Sequence, residues 1–185
     1  KRLGGACDGT GLLPFNGKPR GRNGGRRPTL PKAKRRVAHR QRERILKSTP
    51  AHVCCRIDRR LPSLRGPKAF AIVRAALAES RERFGFRLLH FSVQHDHVHV
   101  IVEAEGSSSL ARGMKGLSVR MARRLNSLWA RRGALRGEGY CVHVLRAARE
   151  VRNALRYVLR NGAKHGAVRV DEEDSCSSEP YFTKS

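Results

Sequence analysis

From Ser92 to Glu103 the chain reads S-V-Q-H-D-H-V-H-V-I-V-E, and few folds accommodate such a run. Successive side chains of a strand point to opposite faces, so Val98, Val100 and Val102 enter a core while His97 and His99 stand together on the other side. Phe86 to Val93 reads as a strand directly before it, and Gln94 to Asp96 as the tight connection between the two. Two imidazoles one residue apart are a ready pair of metal ligands. They are equally what an ordinary half-buried strand shows to water, and the strand alone leaves both readings open.

The flanking patterns supply the rest of a domain. Thr49 to Ile57 suits a first strand, and Lys68 to Phe84 places Phe70, Val73, Leu77 and Phe84 at helical spacing, with Gly85 as a stop. Ser107 to Arg132 is the longest helical segment, with Leu110, Met114, Leu117, Met121, Leu125 and Leu128 at steps of three and four. Gly113 and Gly116 each cost about 1 kcal/mol relative to Ala inside a helix, so either a close packing contact needs them or the helix frays there. Tyr140 to Leu145 reads as a fourth strand. Ala148 to Asn161 is a last helix with Val151, Leu155 and Val158 toward the core, ended by Gly162. This is an α+β chain with the βαββαβ order of a ferredoxin-like sandwich, an antiparallel sheet and one further helix at the C-terminal end.

Charge separates the domain from its flanks. The 40 Lys and Arg against 15 Asp and Glu leave +25, far beyond what solubility requires, so a polyanion is the economical partner, and nucleic acid the default one. Residues 1–47 hold 15 basic and two acidic residues among scattered Gly and Pro, the composition of a disordered basic arm. Residues 48–166 form the expected domain, and the acidic, Ser-rich 167–185 a tail whose apolar anchor is Pro180-Tyr181-Phe182. Lys115, Arg120, Arg123 and Arg124 on the long helix, and Lys164 after the last one, are the candidates for phosphate contacts. No apolar run approaches the roughly 20 residues of a membrane span, so a cytoplasmic protein is expected. The five cysteines lack metal or redox spacing and read as free thiols.

On the last helix Tyr157 and Asn161 are four residues apart, neighbours on one face beside the apolar stripe. By itself this is a tyrosine at the edge of a core. A tyrosine hydroxyl, with a pKa near about 10, is a weak nucleophile that a metal can assist by polarising the phosphate under attack. Two imidazoles from the sheet and an amide oxygen from the helix would leave coordination positions open for that phosphate.

The segments F-S-V-Q-H-D-H-V-H-V-I-V-E-A and A-R-E-V-R-N-A-L-R-Y-V-L-R-N-G-A-K-H-G resemble the single-tyrosine HUH transposases, especially the REP-associated branch, over roughly Thr49 to Gly166. The resemblance implies that His97, His99 and Asn161 bind Mg²⁺ or Mn²⁺. It also implies that Tyr157 cuts single-stranded DNA at hairpin-marked element ends, leaving a 5′-phosphotyrosine and a free 3′-OH, often within a homodimer. Two departures stand out. His95-Asp96 precedes the first metal-site histidine where relatives carry a small residue and Asn, and Ala147-Ala148 replaces a helix-capping Thr-Pro. They keep an inactive remnant among the readings, beside a non-catalytic RNA- or DNA-binding module and a zinc hydrolase. Tyr140 and Tyr181 are the other tyrosines, and neither has an Asn or Gln one turn on.

Overall fold

The computed structural model describes residues 45–47, 49–135 and 139–182. The expected basic arm lies outside the described residues except for its last three, and of these Ile45 is buried in the main core.

Alternation builds one antiparallel sheet from β1 (Ala51–Arg56), β2 (Glu82–Arg83), β3 (Phe86–Val93), β4 (His97–Ala104) and β5 (Cys141–Val144). The strands lie in the order β2-β3-β4-β1-β5. Without the two-residue β2 this is the strand order of the ferredoxin-like sandwich, as expected. Val53, Phe86, Leu88, Val93, Val98, Val100 and Val102 face α1 (Pro67–Glu79) and α2 (Ser107–Leu128), whose Val73, Leu77, Leu110, Met114, Leu117, Met121 and Leu125 complete the main core. Gly113 answers the question its position raised: a Cβ there would lie 2.3 Å from the Phe86 ring, so α2 approaches the sheet more closely than Ala would allow. The opposite face is covered by α3 (Ala148–Leu159), through a small cluster of Ile101, Leu145, Ala154 and Val158. The chain then continues through α4 (Asn161–Lys164) to the short α5 (Glu179–Phe182).

Two expectations are corrected. The helix expected to reach Phe84 ends at Glu79, where the Ser80 hydroxyl turns back onto the Ala76 carbonyl (2.7 Å) and only polar residues follow. Phe84 and Gly85, both at positive φ (51° and 69°), instead make the two-residue turn between β2 and β3, and Phe84 is 74% exposed rather than in the core. The helix expected to run unbroken to Asn161 is interrupted at Arg160, so Asn161 opens α4 and Gly162 lies within it. The tail, for which docking and disorder were both open, lies on the body with Cys176 in the main core and Tyr181 exposed. The Val93 N–H donates to the Cys176 carbonyl (2.8 Å) and the Ser178 N–H to the Phe91 carbonyl (2.9 Å), which lays the tail along the free edge of β3. Asp174 beneath it is buried and receives both amino groups of Arg65, at 2.8 and 3.1 Å.

A register shift between Leu88 and His90 marks a bulge in β3. It moves the apolar set from Phe86 and Leu88 to Phe91 and Val93, and so places Ser92 and Gln94 on the α3 side with the histidines. None of the four described cysteines forms a disulfide, and among the described residues no helix is long and apolar enough to cross a membrane.

Candidate active site

His97 and His99 leave β4 toward α3 and are buried, 4% and 0% exposed, with ring centroids 4.9 Å apart. Each is held at its inner nitrogen. His97 Nδ1 lies 2.6 Å from the Asp96 carboxylate, and Arg59 Nε donates to that same carboxylate at 3.1 Å. His99 Nδ1 lies 3.0 Å from Nε2 of His52, a buried residue of β1. A partner at Nδ1 fixes the ring and leaves the other nitrogen to do the work. On both rings that atom, Nε2, is buried and has no hydrogen-bond partner.

The loop that presents His97 is equally pinned. The Ile57 N–H donates to the Asp96 carbonyl (2.7 Å), the Leu64 N–H to that of His95 (2.9 Å), and the Gln94 N–H to that of His97 (2.8 Å). The departure at His95-Asp96 therefore resolves into an exposed His95 and an aspartate that orients a site histidine.

From the helix side, the Tyr157 ring meets His99 edge-on (5.2 Å, 85°) and His52 at 5.8 Å. Lys164 Nζ lies over the tyrosine ring, 4.8 Å from its centre. Asn161 is fully buried, and neither atom of its amide has a hydrogen-bond partner. An unsatisfied buried amide costs about 1–3 kcal/mol, so its place in the fold needs a reason. The helix that carries Tyr157, α3, starts well without a Thr-Pro cap, because the Glu150 carboxylate accepts the N–H groups of Arg146 (2.6 Å) and Ala147 (3.1 Å). Those bonds hold the Glu150 carboxyl below its usual range. The turn after Asn161 is equally constrained, since a Cβ on Gly162 would lie 2.2 Å from Asp174.

Burial keeps the imidazoles neutral. It lowers His99 to about 2, helped by the neighbouring His52 and His97, and lowers His52 to about 4, helped by His143. His97 is lowered by burial as well, though Asp96 opposes the shift. For Asp96 burial acts upward, but the hydrogen bond and charge of His97, with Arg56 and Arg59, hold it below the usual range. Neutral imidazoles with open Nε2 atoms are in the form a metal requires. Among the described residues no three His, Cys, Asp or Glu side chains are grouped to hold a metal, and the Asn161 amide oxygen is buried without a partner, a candidate donor of another kind. Imidazole is a more usual ligand of zinc-like ions than of Mg²⁺ or Mn²⁺, whereas an amide oxygen suits the harder cations, so this donor set is a mixed one.

The structure thus brings His97, His99, Tyr157 and Lys164 together, and buries Asn161 at the start of α4, four residues past the tyrosine. Lys115, Arg120, Arg123 and Arg124 lie elsewhere, on α2 at the far side of the sheet, where Arg120 and Arg124 face Glu79 at 3.6 and 2.7 Å. Tyr140 packs against the main core, and Tyr181 is in the tail. Sequence reasoning missed His52, Arg56 and His165. In A-H-V-C-C-R the alternation that buries Ala51 and Val53 already puts His52 and Arg56 on the histidine face, and Arg56 pairs with His97 across the ladder. His165 lies one turn beyond Asn161, its ring 5.2 Å from that of His97. Both sheet faces are covered, by α1 and α2 on one side and α3 on the other, so no open sheet is left for stacking bases.

The family described as "Transposase IS200 like" matches residues 32–161, most of the chain and every element from β1 to Asn161. The chain belongs to this family. The IS200-like transposase match begins inside the stretch expected to be an arm and closes on the buried asparagine. Among solved structures, the REP-associated tyrosine transposase bound to a REP hairpin aligns with a TM-score of 0.65 at 15% identity, over 80% of this chain and 86% of that one, and shares its fold. A Deinococcus radiodurans R1 protein described as a transposase aligns at a TM-score of 0.41 and 20% identity, over 66% of this chain and 93% of that one, too loosely to add to the comparison. No curated protein matches this transposase in sequence.

Proposed function

We propose that this IS200-like transposase cuts and rejoins single-stranded DNA through a covalent phosphotyrosine, with Tyr157 as the nucleophile. One observation carries the reading. The Tyr157 ring rests against His99, and the Nε2 atoms of His97 and His99 and, four residues past the tyrosine, the Asn161 amide are buried without a hydrogen-bond partner. Nothing in ordinary packing favours leaving three buried polar side chains so unsatisfied.

The Tyr157 oxygen attacks a backbone phosphorus and loses its proton. The new O–P bond replaces the bond to the 3′ oxygen, which leaves as a free 3′-OH, and the 5′ phosphate stays on the tyrosine. The linkage conserves the broken bond, so a 3′-OH attacking the same phosphorus rejoins a strand and releases Tyr157. His97, His99 and Asn161 would hold Mg²⁺ or Mn²⁺, which draws charge from the phosphate oxygens when bound. Asp96 and His52 keep the two imidazoles turned the right way, and Lys164 holds positive charge over the tyrosine ring. The REP hairpin on the similar structure makes hairpin-bearing ends the expected substrate here as well.

The test is a trapping assay with a pool of hairpin-bearing single strands and Mn²⁺. A denaturation-resistant adduct that needs the metal and vanishes in Tyr157→Phe is the expected result. An adduct that survives the substitution moves the nucleophile to another tyrosine. Tight binding with no adduct on any hairpin leaves a binding module.

A further inference from the structure

The charges on α3 have no internal use. Arg149, Arg152, Arg156 and Arg160 are all exposed, and at about 100° per residue they fall, with Asn153, within an arc of roughly 100° on the side away from the sheet. Among the described residues none of the four has an acidic partner, whereas Arg120 and Arg124 on α2 share Glu79. Like charges at steps of three and four destabilise a helix, and Arg149 in the first turn also opposes the helix dipole. Glu150, the one acid in α3, is engaged by the backbone at the helix start. A helix bearing such a stripe is relieved by a polyanion lying along it.

The stripe also leads to the site. Tyr157 lies about 60° around the helix from Arg160, and Lys164, one turn on, covers the Tyr157 ring. From Arg149 to Arg160 is about 16 Å along the axis, a run that serves a few nucleotides.

We infer that the outer face of α3, from Arg149 through Arg152 and Arg156 to Arg160, is the track along which single-stranded DNA is led to Tyr157. The basic face of α2, on the other side of the sheet, is not part of that track. The inference rests on the strand-transfer reading for its direction toward Tyr157, and makes the nucleophile's own helix the main phosphate-binding element.

Binding is measured apart from chemistry, in full-length Tyr157→Phe protein, as the affinity for a labelled mixed-sequence single strand against salt concentration. Changing Arg152, Arg156 and Arg160 together to Gln should lower the slope of log affinity on log salt by about 2, at about 0.7 for each phosphate no longer neutralised, and weaken binding about tenfold or more at low salt. The same three positions changed to Lys should keep most of the slope, since a point charge still meets a phosphate. Lys115→Gln with Arg123→Gln on α2 should leave the slope nearly unaltered. An unchanged slope in the Gln set, with melting temperature intact, overturns the track, as does an equal loss in the α2 set. Adduct formation with Tyr157 present is scored separately. A normal adduct with an unchanged slope sinks the track and keeps the strand-transfer reading, while a lost slope with no adduct from any protein keeps the track as a binding surface and sinks the chemistry.

Discussion

The two faces of the sheet are made from the same strands and have opposite characters. Toward α1 and α2 every inward side chain is apolar, from Val53 and Phe86 to Val102, and the face is filled by volume alone. Toward α3 only Ile101, Leu145, Ala154 and Val158 form a buried apolar cluster, and the same side buries His52, Ser92, Gln94, His97, His99 and Asn161. The first face supplies the free energy of folding. The second is tolerated because the first is good, and it can therefore keep polar atoms unsatisfied.

The sharpest way to separate the faces is Tyr157→Phe. Removing one oxygen should abolish the adduct, by a factor of about 10³ or more in rate, while stability moves by no more than about 1 kcal/mol, read from adduct kinetics and chemical denaturation side by side. Leu77→Ala on the other face should do the reverse. Deleting a fully buried side chain costs about 3 kcal/mol, and the rate of adduct formation per folded molecule should not change.

Acid should attack the α3 face first. In metal-free protein His52 is lowered by burial to about 4, so as pH falls the unfolded chain, with a value near about 6.5, takes up its proton before the folded one does. Stability is whole above that unfolded value and is lost as pH falls toward 4. Denaturation at pH 7 and pH 5 should differ by about 2 kcal/mol from His52 alone, with His99 acting in the same direction, and His52→Gln should reduce the difference. A flat profile would mean that the folded protein protonates His52 as readily as the unfolded chain does. The mildest expected effect is Asp96→Asn. It keeps an acceptor at His97 but removes the charge, and should weaken Mn²⁺ binding about tenfold by calorimetry with little change in melting temperature.

How much of this was legible in the sequence follows the same division. The main core could be read from period alone, since Val73, Leu77, Met114 and Leu125 repeat as a packed helix must, and the βαββαβ order followed. Four site residues were visible for a local reason too: His97 and His99 share a strand, Tyr157 and Asn161 a helical turn. What stayed hidden depends on contacts between segments distant in the chain. His52 is 47 positions from His99, and nothing short of the β1 to β4 register joins them. The end of α1 was misplaced because Phe84 fitted the helical stripe, and a two-residue turn at positive φ competes with a helix stop for the same Gly85. The bulge in β3 was written as a slip in alternation, L-L-H-F, that reads as a strand either way.

The contact between Gly162 and Asp174 has a practical side. The Asn161 turn rests against an aspartate supplied by the last stretch of chain, which is itself tied to Arg65 and to the edge of β3. For anyone engineering this protein, the C-terminal end is not a free handle. Trimming back past Asp174 to obtain a shorter domain would remove the side chain against which the Asn161 turn rests, and a cut that looks harmless on a gel would reach the candidate site.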